Sequence, residues 1–229
     1  LSFLETAGFH IKVSDKLFAQ NRYMAGTDEE RTGEIEKFFA DDEVDCIICA
    51  RGGYGAIRLI DKINYEVVRA NPKPFCGFSD VTALSAMFLK RAGLVTYSSP
   101  MINGDFGNDI SDFTWQNFKK AVMSDEPLIF ECCGEGEAKG ITFGGNLATL
   151  TSLCGTDFLP DKDFILCVED LNEPTYKIDR MLHQLWNIED FRRNLRGIVY
   201  GEFTDCDDPK EVLEEFAIQT GVDRKSTRL

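Results

Sequence analysis

The chain has 229 residues, and 43% of them are hydrophobic, which is enough apolar material for the core of one large domain or two small ones. Its formal net charge of −14 argues against nucleic acid as a partner, because a polyanion is repelled by that field. No stretch is apolar enough to cross a membrane, and the first residues lack the basic and apolar regions of a signal peptide.

The first half of the chain alternates predicted helices and strands. Residues 1–7 have the pattern of the last turns of a helix that ends at Gly8, so we expect the chain to begin inside a fold. Strands are predicted at residues 10–13, 45–50, 73–76 and 94–97. Helices are predicted at residues 28–39, from the glycine-rich loop to about residue 63, and at 80–90. Thr27 and Glu30 are placed as a capping box for the helix at 28–39, and Gly93 as the C-terminal cap of the helix at 80–90. This alternation predicts a parallel sheet with helices on both faces.

The pattern changes at residues 124–139, a polar and glycine-rich stretch that we interpret as a linker or hairpin. Beyond it, a turn is predicted at 144–146, helices at 147–153 and 178–186, and strands at 164–168 and 197–200. The predicted organisation is an N-terminal α/β domain of residues 1–123, the linker, and a smaller mixed α/β domain of residues 140–222.

The last residues, 223–229, are abruptly basic in an acidic protein. The string matches translated sequencing-adapter DNA, and we interpret it as a cloning or adapter scar outside the fold. An ordinary frayed tail is the alternative.

The chain has eight cysteines, two of which have C-x-x-C spacing. Cys46 and Cys49 lie in a predicted strand, where positions three apart point to opposite faces. No second C-x-x-C pair or Cys/His cluster completes a zinc site. We therefore expect small, buried, reduced thiols in a cytosolic protein, and neither a metal nor a cofactor.

The segment Gly77-Phe78-Ser79-Asp80 stands where a predicted strand gives way to a helix. This arrangement is typical of a nucleophile elbow, in which a serine projects from a tight turn over the carboxyl end of a sheet. The N–H groups that open the following helix suit a developing oxyanion. The match is partial, because Val81 stands where the elbow motif has a second glycine. A serine before a helix is also a common N-cap, so the segment alone leaves both interpretations open.

A second strand-to-helix turn carries Arg51-Gly52-Gly53-Tyr54-Gly55. It lacks both common phosphate-loop patterns, although a non-catalytic phosphate- or nucleotide-binding α/β module remains an alternative. Its glycines allow close backbone approach and a further N–H donor for an oxyanion. In a parallel sheet this loop and Ser79 share the carboxyl edge. Tight packing of helix on strand would explain the glycines equally well.

A third feature is Glu169-Asp170, which follows the predicted strand 164–168. A carboxylate there is placed to orient a histidine, as the acid of a catalytic triad does. A strand-end turn, or an ion pair with Arg180, is the alternative. The chain has two histidines, His10 in a predicted strand and His183 on a predicted helix between apolar neighbours. A structural role is more typical of such a helical histidine than that of a general base.

Several of these segments, in the same order, resemble the LD-carboxypeptidase family. The motifs that carry the resemblance include Arg51-Gly52-Gly53-Tyr54-Gly55, Asn71-Pro72-Lys73-Pro74, Gly77-Phe78-Ser79-Asp80-Val81-Thr82, Gly144-Gly145-Asn146-Leu147 and Tyr176-Lys177-Ile178-Asp179-Arg180. The resemblance implies a Ser-Glu-His triad with Ser79 as nucleophile and Glu169 as the acid. It also implies an oxyanion hole formed by the backbone N–H groups of Asp80 and Gly53.

The resemblance further implies a cytoplasmic, homodimeric enzyme of peptidoglycan recycling that removes the terminal D-alanine of murein tetrapeptide. The alternative within the family is an immunity peptidase that cleaves microcin-C-like aminoacyl-nucleotides. The family's histidine and its opening strand would lie outside the residues given. We therefore expect both domains to be incomplete and the chain as given to be inactive and poorly stable.

Overall fold

The computed structural model describes residues 1–106, 110–130, 137–221 and 223–226, the last four as backbone only. The chain divides into two compact units, Leu1–Leu128 and Ile129–Leu229. Residues 131–136 of the predicted linker, with Cys132 and Cys133, lie outside the described residues. Within the part of the chain that is described, no helix has the length and apolar character needed to cross a membrane.

Unit 1 is mainly helical. Its α-helices are α1 (Ser2–Thr6), α2 (Asp28–Ala40), α3 (Tyr65–Ala70), α4 (Thr82–Met87) and α5 (Asp112–Met123). Two short 3₁₀ turns, Ala56–Arg58 and Ser79–Val81, and a π turn, Phe88–Ala92, accompany them. The predicted capping box is confirmed, because Thr27 Oγ1 accepts from Glu30 N (3.1 Å) and Glu30 Oε2 accepts from Thr27 N (2.9 Å). Gly93, with φ 69°, ends the π turn as predicted.

The sheet of unit 1 consists of two short parallel strands, β1 (Ile47–Ile48) and β2 (Phe75–Cys76), and Tyr97 adds a bridge to Cys76. The strands predicted at 45–50 and 73–76 are present in shortened form, and the one at 94–97 is reduced to this bridge. The strand predicted at 10–13 is wrong, because Phe9 and Ile11 bury their side chains against an apolar cluster without any backbone pairing.

Two helical predictions for unit 1 also need correction. The helix expected to run to about residue 63 is only the turn Ala56–Arg58, which follows Gly55 at φ 119°. Helices α3 and α5 were not predicted. Helix α5 begins with an ordinary N-cap, since Ser111 Oγ accepts from Thr114 N (3.1 Å). Polar residues interrupt the helical spacing of its apolar residues, so the sequence pattern did not indicate a helix.

The core of unit 1 lies on both sides of β2. Phe75 packs against Phe39 of α2 and against Phe88, with ring centroids 6.0 and 5.0 Å away. Cys76 points the other way, into an apolar cluster with Leu4 of α1 and Phe118 of α5. Successive residues of a strand face opposite sides, so these contacts place a helical layer on each face, as predicted.

Unit 2 contains a four-stranded parallel sheet in the order β3-β4-β5-β6. Its strands are β3 (Ile141–Asn146), β4 (Phe164–Leu171), β5 (Leu195–Thr204) and β6 (Asp223–Ser226). The helices between them are α6 (Leu147–Ser152), α7 (Thr175–Trp186), α8 (Glu189–Asn194) and α9 (Lys210–Thr220). Each crossover between parallel neighbours passes through a helix, as parallel strands require. The turn predicted at 144–146 is instead the end of β3, and neither α8 nor α9 was predicted.

Strand β6 falls in the segment that we interpreted as a tail outside the fold. Its backbone pairs in parallel with β5, with Gly197 opposite Asp223 and Tyr200 opposite Ser226. The backbone of residues 223–226 therefore has a place at the edge of the sheet. The origin of the segment stays a prediction.

Candidate active site

Ser79 lies in the turn between β2 and α4, in a backbone conformation rare for its type. Phe78 before it is extended, and Ser79 itself has φ 61° in the left-handed region. A non-glycine residue there costs of order 1–3 kcal/mol and persists where the surroundings impose it, often at functional sites. In the described residues no side-chain cap hydrogen bond opens this turn or α4, so the N-cap interpretation of Ser79 is wrong.

Two glycines make room for this turn. A Cβ on Gly77 would lie 3.0 Å from a methyl of Val81 and 3.1 Å from Cβ of Cys49. A Cβ on Gly52 would lie 3.0 Å from Cβ and 3.1 Å from Oγ of Ser79. The backbone of the glycine-rich loop therefore runs directly beside the hydroxyl of Ser79. The sequence pointed to the loop but not to Gly52, since any of its three glycines fitted the pattern.

Asp80 ties the glycine-rich loop to the serine turn. Its Oδ2 accepts a hydrogen bond from Ala56 N (2.8 Å), and the nearby Arg31 donates to the carbonyl of Gly55 (3.1 Å). Burial raises the pKa of the Asp80 carboxyl, and the bond from Ala56 and the charge of Arg31 oppose this rise. The side chain of Asp80 is thus a structural link, while its backbone N is 3.6 Å from the position of a Cβ on Gly52. Gly53, the other predicted oxyanion donor, is exposed in the same loop with φ 112°.

A cavity of about 370 Å³ opens in unit 1 next to this turn. Its lining residues are Phe78, Pro100, Gly104, Asp105, Ile110 and Thr114. Phe78 immediately precedes Ser79 in the chain, but Ser79 itself is not among the lining residues. Asp105 is held in place there, since its Oδ2 accepts from Met101 N (2.8 Å).

The two acids at the carboxyl end of β4 have different environments. Asp170 is only 3% exposed and accepts three hydrogen bonds, from Asn146 Nδ2 (2.8 Å), Ala148 N (2.9 Å) and Leu171 N (2.8 Å). The bond from Ala148 holds the first turn of α6, so Asp170 is a structural residue. Neither acid pairs with Arg180 in the described part of unit 2, contrary to the alternative that we considered.

Glu169 pairs in register with Asn146 of β3, and its Oε1 is buried with no hydrogen-bond partner among the described residues. Burial, helped by the neighbouring charge of Asp170, raises the pKa of Glu169 to about 7, against the lowering effect of Asn146. Gly201 of β5 leaves space beside it, since a Cβ there would lie 3.2 Å from Cβ of Glu169. A buried carboxylate oxygen without a donor is costly, and it is suited to accept an N–H from a catalytic partner.

The two histidines occupy different settings. His183 of α7 uses both ring nitrogens, Nδ1 towards Asp179 Oδ1 (2.9 Å) and Nε2 towards Gln219 Oε1 (3.0 Å), and its ring packs edge-on against Phe216. It therefore serves as a link between α7 and α9, as its helical setting suggested. His10 is exposed in the irregular segment that follows α1.

The C-x-x-C pair is split in the structure. Sγ of Cys46 lies 3.9 Å from Sγ of Cys76, whereas Cβ of Cys49 faces Gly77. The six described cysteines are free thiols, and no group of three metal-binding side chains occurs within the described residues.

Comparison with known proteins identifies the family. The family domain described as the LD-carboxypeptidase N-terminal domain matches residues 1–99, and the LD-carboxypeptidase C-terminal domain matches residues 139–227. A probable murein peptide carboxypeptidase of Bacillus subtilis (strain 168) is 35% identical over 237 residues, which cover 96% of this chain and 74% of that protein. The microcin C7 self-immunity protein MccF of Escherichia coli is 29% identical over 257 residues, with 94% of this chain and 74% of that protein covered.

A solved structure has the same fold. The muramoyltetrapeptide carboxypeptidase from Oxalobacter formigenes superposes with a TM-score of 0.86 at 28% identity, with 98% of this chain and 81% of that chain covered. The matches to both family domains, together with a relative 35% identical over nearly the whole chain, agree with the motifs around Ser79 and Glu169. The chain belongs to the LD-carboxypeptidase family.

Proposed function

We propose that this chain carries the nucleophile and the acid of a serine peptidase that removes the terminal D-alanine of murein tetrapeptide. The observation that carries the proposal is the left-handed backbone of Ser79, φ 61°, at a strand-to-helix turn with Gly52 against its hydroxyl. Relatives named as murein peptide carboxypeptidases support this substrate. The bond cleaved joins the L-centre of the diamino acid to D-alanine.

In the proposed reaction Ser79 Oγ attacks the carbonyl carbon of that bond, and a histidine base takes its proton. The backbone N–H groups of Asp80 and Gly53 stabilise the oxyanion of the tetrahedral intermediate. The amine of D-alanine leaves with the proton, and water hydrolyses the acyl-enzyme by the same steps. Glu169 orients the histidine, since its buried Oε1 has no other donor among the described residues.

The histidine base in this reaction is proposed because the family resemblance implies one. His183 is a poor candidate, because both its ring nitrogens already have partners in unit 2.

The second candidate substrate is an aminoacyl-nucleotide, favoured by the 29% identity to the MccF immunity protein. An enzyme of that kind needs an exposed aromatic ring to stack the base. Trp115 is packed against Phe3 and Phe118, and Trp186 against Phe216, so both tryptophans already serve core contacts. Tyr54 of the glycine-rich loop and the neighbouring Tyr23 are exposed rings that could stack a base. The preference for the murein peptide therefore rests on the relative named for it, which is 35% identical, against 29% for the immunity protein.

A non-catalytic phosphate-binding role for the glycine-rich loop is less well supported. The N–H of Ala56, which opens the turn after the loop, donates to Asp80 within the chain. A phosphate site would leave such N–H groups available. The proposal also includes a cytoplasmic location, which the free thiols of the described residues support, and a place in peptidoglycan recycling, which the names of the murein relatives support. A homodimer is proposed from the family resemblance.

The test uses the full-length protein and a quantitative assay for released D-alanine. Ser79→Ala is expected to lower kcat by at least about 10³-fold, because the nucleophile is lost while the oxyanion hole remains. The control is Ser85→Ala, which removes a hydroxyl from α4 in the same unit and is expected to leave the rate unchanged. A fluorophosphonate probe should label the wild type at Ser79. Full activity of the Ser79→Ala protein, or labelling at another serine, would exclude this mechanism.

A further inference from the structure

Arg51 opens the glycine-rich loop and is exposed. Within the described residues of unit 1 (1–106 and 110–128), nothing forms a hydrogen bond or ion pair with its guanidinium. Other arginines of the same unit are engaged: Arg58 with Asp28, Arg69 with Glu66, and Arg91 with Asp61. The charge of Arg51 is thus available to a ligand.

The backbone next to Arg51 lies close to the candidate nucleophile. The next residue, Gly52, has its backbone against Ser79, with 3.1 Å between the position of a Cβ on Gly52 and the serine Oγ. A flexible arginine side chain rooted one residue away therefore has the reach to contact a substrate group close to the scissile bond.

Two acids of the same region of unit 1 already have other partners. Asp80 accepts from Ala56 N and lies beside Arg31. Asp28 accepts from both Nε (3.0 Å) and Nη2 (2.8 Å) of Arg58. In a chain with a formal net charge of −14, an unneutralised cation at the site is the feature that attracts an anionic peptide end.

A carboxypeptidase differs from an endopeptidase in that it recognises a free terminal carboxylate. In the proposed substrate this carboxylate lies two bonds from the leaving nitrogen, so its binding group must stand close to the nucleophile. Guanidinium is the side-chain group that matches a carboxylate with two parallel N–H bonds. We propose that Arg51 binds the α-carboxylate of the terminal D-residue and thereby restricts the enzyme to the end of the peptide. The assignment rests on the proposed function.

The experiment compares two substrates in the full-length protein: the tetrapeptide with a free terminal carboxylate and the same peptide with a terminal carboxamide. The wild type is expected to prefer the carboxylate substrate. Arg51→Gln is expected to lower kcat/KM for that substrate by about 10–10²-fold, the usual worth of charged hydrogen bonds, and to change the carboxamide rate by less than about twofold. Arg51→Lys, which keeps the positive charge but cannot form the two parallel N–H bonds, should retain part of the preference for the carboxylate substrate. Arg69→Gln, a charge removal on α3, is the control and should preserve the wild-type preference.

The outcomes separate the two proposals. Equal losses on both substrates in a folded Arg51→Gln protein would show that Arg51 acts on the oxyanion or on the loop, and would overturn this assignment alone. A wild type that releases no D-residue from either substrate would overturn the proposed function and this inference with it. If Arg51→Gln does not fold, as judged by circular dichroism, the Arg51→Lys protein decides: an unchanged preference would overturn the assignment.

Discussion

The two acids at the end of β4 show how strongly local environment separates neighbouring side chains. Asp170 accepts three hydrogen bonds and is almost fully buried, whereas Glu169 has a buried oxygen that no donor of the described residues reaches. Burial raises the pKa of both carboxyls, and that of Glu169 reaches about 7. The ionised form of Glu169 therefore lowers the free energy of unfolding. Destabilising charged groups of this kind are common at functional sites.

This cost predicts a pH dependence of the free energy of unfolding. The pKa of Glu169 rises from 4.5 to about 7 on folding, so the folded state binds the proton more tightly. The stabilising effect of that proton is complete below about pH 4.5 and is lost as pH rises through about 7. Because the side chain is partly exposed, we expect Glu169→Gln to stabilise the 229-residue chain by only ~1–2 kcal/mol at pH 8. Urea unfolding at pH 5 and pH 8 measures the difference.

The matched variant is Asp170→Asn, which changes the neighbouring acid in the same way. It replaces one carboxylate oxygen by an NH2 donor, so either Ala148 N or the pair of Asn146 Nδ2 and Leu171 N loses its acceptor. We therefore expect lower stability at both pH values. Equal effects of the two substitutions at pH 8 would contradict the division of roles between Glu169 and Asp170.

The pairing of β3 with β4 depends on a close backbone approach at one glycine. A Cβ on Gly144, whose φ is 143°, would lie 1.9 Å from the carbonyl oxygen of Cys167. No rotamer change relieves a clash with a backbone atom, so the two strands would have to separate. The same strand delivers Asn146 to Glu169 and Asp170, so this approach also supports the geometry of the acids.

Gly144→Ala is therefore expected to destabilise the protein by about 3 kcal/mol or more. The control is Gly33→Ala in α2, where a Cβ meets nothing within 4 Å. Alanine is favoured over glycine in an exposed helix, so this control should raise stability by about 0.5–1 kcal/mol. Guanidinium unfolding measures both changes, and a mild effect of Gly144→Ala would show that β3 and β4 can shift apart at low cost.

The chain as a whole has two units, each with its own hydrophobic core. In unit 1 the core surrounds β2, with Phe39, Phe75 and Phe88 at most 1% exposed. In unit 2 it includes Phe164 and Phe191, whose rings lie 5.4 Å apart. Separate cores favour separate cooperative transitions.

The chain offers one tryptophan in each unit as a reporter. Trp115 packs on Phe118 in unit 1, and Trp186 packs on Phe216 in unit 2. With Trp115→Phe and Trp186→Phe as single-reporter backgrounds, Gly144→Ala should shift the fluorescence transition of Trp186 to lower denaturant and leave that of Trp115 within about 0.5 kcal/mol. A shift of both transitions by the same amount would show that the two units unfold together.

Much of this arrangement follows from patterns within short stretches of sequence. The capping box at Thr27 and Glu30, the stop at Gly93, the buried strand before Glu169 and the turn at Ser79 each depend on residues within one or two turns of each other. The fold class and the family were predictable for the same reason, because several such stretches occur in a fixed order.

Other features depend on contacts between distant segments, and no local pattern predicts these. Residues 10–13 have the alternation of a strand but form no strand pairing, and Ile11 packs with the preceding Phe9 against an apolar cluster instead. The division of roles between Glu169 and Asp170 requires Asn146 and Ala148, more than twenty residues earlier. Gly52 is distinguished from its neighbours only by its contact with Ser79. Local patterns determine where a strand or turn begins because backbone preferences act over a few residues, whereas burial, hydrogen bonding and the pKa of a side chain depend on which distant groups surround it in the folded chain.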